Sequence, residues 1–145
     1  MKLIIYTDGG ARGNPGPAAI GVVVCDEGGI VVNKYFEYLG KATNNVAEYS
    51  AIVFALKKIK ASYGKDKIKK IEIEVRSDSE LVVRQMNHQY KIENEDLQPF
   101  FLKIWNMMVE FSSIKFVHIP REKNKEADAL VNECLDGQAS KQTLF

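Results

Sequence analysis

Four carboxylates stand in four separate segments of this chain: Asp8 closing LIIYTD, Glu48 in TNNVAEYSAI, Asp78 in IEIEVRSDS and Asp128 in REKNKEADAL. Together they read as ligands for a divalent cation, because hard cations such as Mg²⁺ take oxygen donors. Taken singly, Asp78 before Ser79 could be a helix N-cap, and Glu48 or Asp128 a solvated helical charge. Their joint occurrence favours the metal site. Groups this scattered converge only if the fold gathers strand ends and helix starts along one sheet edge.

Apolar runs rich in Ile, Val and Tyr predict strands at Lys2–Thr7, Ile20–Asp26, Ile30–Gly40, Lys70–Arg76 and Ile114–Ile119. Gly28-Gly29 marks a hairpin between the second and third. Strict alternation in Ile71-Glu72-Ile73-Glu74-Val75 predicts one apolar face. Helical spacing appears over Val46 to Lys60, where Ala51, Ile52, Ala55, Leu56 and Ile59 share a stripe, and again over Ser79–Asn87 and Asp96–Phe111. Pro99 falls in the first turn of the last of these. A short final helix, Lys125–Leu135, is expected to stop before Gly137, with a frayed tail beyond. The order predicts an α/β fold with a five-stranded mixed sheet, its first three strands antiparallel and the last two parallel to the first, flanked by helices. Ligands bind such sheets beyond the carboxyl ends of parallel strands, where Asp8 and Asp78 are placed.

At 145 residues and 46% hydrophobic content, residues 1–145 read as one domain with one core. No charged leader with an apolar stretch follows Met1 and no run approaches a bilayer span, so a soluble, cytoplasmic protein is expected, with no membrane partner. Cys25 and Cys134 are too few and too distant for a disulfide framework or zinc site and read as buried small hydrophobes. A net charge of +1 gives no global nucleic-acid signal. The lysines between Lys57 and Lys70 read as a solvated helix face and turn. Trp105, among Leu102, Ile104, Met108 and Val109, reads as core or near-core.

The segments YTDGGARGNPGPAAIG, TNNVAEYSAI, SDSELVVRQM and HIPREKNKEADAL, in that order, resemble the four signature segments of ribonuclease H type 1. The likeness spans nearly the whole chain. It implies an endonuclease that cuts the RNA strand of RNA–DNA hybrids, with Asp8, Glu48, Asp78 and Asp128 holding two Mg²⁺ ions, or Mn²⁺ as substitute, and leaving 5′-phosphate and 3′-hydroxyl ends. By the same resemblance Asn14, Asn44 and Asn45 contact the hybrid across its minor groove, and Thr43, with Asn94 and Lys41, holds a phosphate of the DNA strand. Gly9 and Gly10 would let the backbone approach a sugar edge, although the GGARGNPGP stretch also reads as an ordinary turn.

The chain departs from the better-known bacterial pattern between Met86 and Asp96. There NHQYKIENE replaces a Trp-bearing, Lys-rich helix, leaving Tyr90 as a candidate surface for a DNA sugar. A minimal, handle-free member is therefore expected, a monomer with no separate hybrid-binding domain ahead of Met1. Activity on double-stranded RNA is left open. In HIPR, family spacing from Asp128 points to His118 as the residue assisting catalysis. Strand alternation instead sets His118 on the packed face with Ile114 and Phe116, and favours Arg121, in a loop after Pro120, for charge stabilisation. A junction resolvase on the same fold and a metal-free binding module are the alternatives. The TNN segment argues against the first and the complete carboxylate set against the second.

Overall fold

The computed structural model describes residues 1–143. Its elements run β1 (Lys2–Ala11), β2 (Gly16–Asp26), β3 (Val31–Ala42), α1 (Asn44–Tyr63), the single turn α2 (Lys65–Ile68), β4 (Glu72–Ser77), α3 (Glu80–Met86), α4 (Gln98–Met108), β5 (Ser113–His118) and, after a short 3₁₀ turn, α5 (Lys125–Thr143). The sheet order is β3-β2-β1-β4-β5. β1–β2 and β2–β3 pair antiparallel, while β1–β4 and β4–β5 pair parallel, as the sequence predicts. The Gly28-Gly29 hairpin forms, with the Gly29 amide donating to the Asp26 carbonyl at 3.0 Å.

Alternation along the strands separates two faces. Leu3 and Ile5 of β1, Ile20, Val22 and Val24 of β2, and Ile73 and Val75 of β4 point into a large core shared with α1, α3 and α4. Ile4, Val23 and Cys25 face the other way, against Ala127 of α5. Both cysteines are buried and free. Among the described residues, no helix is long and apolar enough to cross a membrane.

Local chemistry sets the helix ends. The Thr43 hydroxyl caps α1 by accepting from the Val46 amide at 3.2 Å, and Gly64, at φ 87°, closes it by donating to the Lys60 carbonyl at 2.9 Å. Ser79 caps α3 in the same way through Val82. At the other end of α3, His88 adopts the left-handed conformation (φ 62°) while its amide donates to Gln85 and that of Gln89 to Arg84, a Schellman-type stop. The chain turns there at once, where the bacterial pattern would carry an extra helix.

Two expectations are corrected. α5 does not stop before Gly137 but continues to Thr143. One glycine costs a helix only about 1 kcal/mol, and Gln138, Ala139 and Lys141 beyond it are good helix formers. The expected frayed tail is thus helical through Thr143, and its last two residues lie outside the described range. Trp105 is 48% exposed rather than core. Its ring stacks on Phe101 with centroids 6.2 Å apart and meets His88 edge-on.

Candidate active site

The parallel pairing of β1 with β4 ends at Thr7 and Ser77, so Asp8 and Asp78 are the next residues on two neighbouring strands. β1 itself runs on to Ala11 against β2, with Asp8 opposite Gly21. Glycine's lack of a side chain is used twice here. A Cβ on Gly9 would overlap the Ala47 carbonyl and the Glu48 amide, and a Cβ on Gly21 would overlap the Ala127 carbonyl. Gly9 therefore lets α1 close onto one face of the sheet and deliver Glu48, while Gly21 lets α5 close onto the other and deliver Asp128 beside Ala127. The close approach expected at Gly9 is thus taken up by the protein's own helix.

Asp8, Glu48 and Asp78 each offer a carboxylate oxygen, and these oxygens lie within 4.8 Å of one another. Asp128 is exposed at the margin of the same open basin, about 370 Å³, whose walls also carry Arg12, Asn44, Arg121 and Asn132. Asp8 is only 6% exposed. Burial, then the charges of Asp78 and Asp128, push its carboxyl from 3.8 up to about 8. Burial followed by the charges of Asp8 and Asp78 also raises Glu48 well above the carboxylate range. Its Oε2 is buried without a hydrogen-bond partner.

Neighbouring side chains hold this arrangement in place. Buried Asn124 donates through Nδ2 to the Thr7 carbonyl at 2.9 Å and, more weakly, to Asp78 Oδ2 at 3.5 Å, tying the start of α5 to the ends of β1 and β4. Sequence reasoning passed over Asn124; an Asn just before Lys125 signals a helix N-cap, but its bridge to Thr7 is visible only in three dimensions. The buried Tyr49 hydroxyl donates to Gln85 Oε1 at 2.6 Å, and Gln85 Nε2 donates to the Lys91 carbonyl at 3.1 Å. That chain locks α1, beside Glu48, to α3 and the loop after it.

The remaining sequence-derived residues divide clearly. Asn14 and Asn44 form a relay: the Asn44 amide donates to Asn14 Oδ1 at 3.0 Å, and Asn44 Oδ1 accepts from the Ala11 amide at 2.9 Å. Asn44 thereby reaches the basin, with Gly9, Gly10 and Arg121 along its walls. Thr43 and Asn45 flank Asn44 at the start of α1, and Lys41 is exposed on β3. Asn94 is exposed and its Oδ1 accepts from the Asp96 amide at 2.9 Å. Tyr90 lies outside the basin, 49% exposed, under the Arg84 guanidinium, beside a hollow of about 440 Å³ shared with Gln85 and Phe101. His118 is corrected: it is exposed at the last position of β5 rather than packed on the sheet, and it does not line the basin.

This sheet order with an acidic basin at its edge places the molecule in a broad class, and a family profile described as "Reverse transcriptase-like" matches residues 6–134. LC11-RNase H1, whose crystal structure is in complex with an RNA/DNA hybrid, is 51% identical and superposes with a TM-score of 0.89, covering 94% of this chain and 99% of that one. Ribonuclease HI of Halobacterium salinarum is 42% identical over 132 residues, 90% of this chain and 63% of that protein. The bifunctional protein Rv2228c of Mycobacterium tuberculosis is 36% identical over 140 residues, 96% of this chain and 37% of that protein. The chain thus spans less than two thirds of the length of these two curated relatives. It belongs to the type 1 ribonuclease H family of hydrolases. Members of that family need a divalent metal, and the acidic cluster for one is present.

Proposed function

We propose that this chain is a metal-dependent endonuclease that hydrolyses the RNA strand of RNA–DNA hybrids, leaving 5′-phosphate and 3′-hydroxyl ends. The observation that carries this reading is the convergence of Asp8, Glu48 and Asp78 from three different elements, with ligand oxygens within 4.8 Å. Burial first, and then the charges of the neighbouring acids, make Asp8 and Glu48 hold their protons strongly, and Glu48 Oε2 is buried without a hydrogen-bond partner. A donor set of this kind fits divalent cations: Asp8, Glu48 and Asp78 would hold the first, and Asp128, with Asp8, the second. A pair of Mg²⁺ ions, or Mn²⁺ in their place, supplies an activated attacking water and charge stabilisation at the departing 3′ oxygen.

The protein's own residues position the substrate. Asn14, Asn44 and Asn45 offer amides to the 2′-hydroxyls that distinguish the RNA strand, while Thr43, Lys41 and Asn94 take the DNA backbone and Tyr90 a DNA sugar. Arg121, on the wall of the basin, stabilises charge on the scissile phosphate through its guanidinium fork. The chain acts as a monomer. Incubation with end-labelled hybrid, duplex RNA and duplex DNA, with and without Mg²⁺, tests the proposal. Metal-dependent cleavage of the hybrid's RNA strand is expected. Failure to cut hybrid in Mg²⁺ or Mn²⁺, or equal cutting of duplex DNA, would refute it.

A further inference from the structure

We infer that Arg12 is a nucleic-acid phosphate ligand at the rim of the acidic basin, and that Asp136 competes with the nucleic acid for its guanidinium. The inference rests on the hydrolase reading above and adds a site and a control to it. A polyanion entering a basin walled by four carboxylates needs cations, and the sequence has no basic handle to supply them from a distance. Two arginines line the basin, Arg121 and Arg12. Arg12 lies two residues before Asn14, on the same bend that offers amides to the minor groove, so a contact by Asn14 brings a neighbouring phosphate within its reach.

The Arg12 side chain is already engaged. Its Nη2 pairs with Asp136 Oδ1 at 2.7 Å and donates weakly to Asn132 Oδ1 at 3.5 Å. Asp128, Asn132 and Asp136 recur every four residues and so form one stripe along α5, and Asn132 Nδ2 in turn donates to Asp128. The continuation of α5 beyond Leu135 is what sets Asp136 on this stripe. Both ends of the pair are open to water, with side chains 44% and 69% exposed. Such a pair contributes little to stability, so its partner can be exchanged readily. A phosphate, with more charge and more acceptor oxygens and able to bind the fork bidentately, is the stronger partner.

This arrangement predicts effects of opposite sign. Anisotropy titration of a labelled RNA–DNA hybrid in Ca²⁺, to hold turnover back, is run at several salt concentrations on wild type, Arg12→Ala, Asp136→Asn and the double variant. Arg12→Ala should weaken binding by about tenfold and flatten the slope of log K against log salt by roughly one. Asp136→Asn should tighten binding several-fold in wild type and have no effect in the Arg12→Ala background, the cycle separating competition from a general loss of negative charge. If Arg12 and Asp136 merely brace the loop, both single variants weaken binding alike. That result would overturn the inference, as would an Asp136→Asn gain that survives without Arg12, or an Arg12→Ala variant with wild-type affinity and salt slope. Wild-type protein that binds no hybrid would instead refute the hydrolase reading itself.

Discussion

Asp8→Asn should make the metal-free protein more stable at pH 8 while abolishing its chemistry. Asp8 is 6% exposed, and its carboxyl titrates near 8 instead of 3.8, so the folded chain holds a proton that the unfolded chain releases across that window. The sign follows from linkage. Where the folded state binds more protons, stability falls as pH rises, so this contribution is complete below about 3.8, is lost through about 8 and is flat above. Four units at about 1.4 kcal/mol each set a ceiling of roughly 6 kcal/mol. Water in the open basin, reaching the exposed Asp128, screens part of the repulsion, leaving an expected gain of roughly 1–3 kcal/mol. Asparagine keeps the shape and removes the charge. Urea unfolding in EDTA at pH 5 and pH 8 measures it: the variant should show a smaller loss of stability between the two and, at pH 8, a melting temperature higher by roughly 6 °C. Millimolar Mg²⁺ should stabilise wild type by mass action and the variant much less. Cleavage of hybrid should vanish. A variant less stable than wild type in EDTA at pH 8, or stabilised equally by Mg²⁺, would refute the reasoning.

Gly9→Ala drives a methyl group into the backbone of α1 beside Glu48; it should cost about 1–3 kcal/mol and weaken Mg²⁺ binding measured by calorimetry. Tyr49→Phe leaves buried Gln85 Oε1 without its donor and should lower unfolding free energy in urea by about 1–2 kcal/mol, with the metal site intact. Arg121→Ala, read by single-turnover cleavage, should slow the reaction by roughly 10- to 100-fold, whereas exposed His118→Ala should leave both rate and stability near wild type; a reversed pair would return the role to the histidine. Without a basic handle, hybrid binding should be weak and strongly salt-dependent, and a nanomolar constant insensitive to doubled salt would reveal a surface not described above.

The sheet was legible because each strand carries its own pattern. Ile73 and Val75 alternate with Glu72 and Glu74, and such a segment buries one face whichever neighbours it meets. The carboxylates were legible because metal chemistry restricts residue type more sharply than packing does. α4 was ambiguous for a physical reason. Ile104 and Met107 are buried, but Leu102, Trp105 and Val109 form a second apolar stripe on its exposed side, so periodicity could not choose the face. His118 misled for a different reason: alternation predicts packing only while something covers the sheet, and at the final residue of β5 that cover ends. Asn124 and the Arg12–Asp136 pair were invisible because each joins residues more than a hundred positions apart.

What the fold does with the acids follows from where it places its glycines. Three carboxylates within reach of one ion repel one another, and a loosely built sheet edge would relieve that repulsion by spreading them. Here spreading is opposed on both faces. α1 is seated against Gly9 and clamped through Tyr49 to Gln85, while α5 is seated against Gly21 and tied through Asn124 to the Thr7 carbonyl. Burial in that packing, and then the repulsion it does not let the acids escape, raise the proton affinity of Asp8 and Glu48. A site held open against its own charge binds cations without first having to assemble, and the same packing that costs stability in their absence keeps the ligand oxygens in place for them.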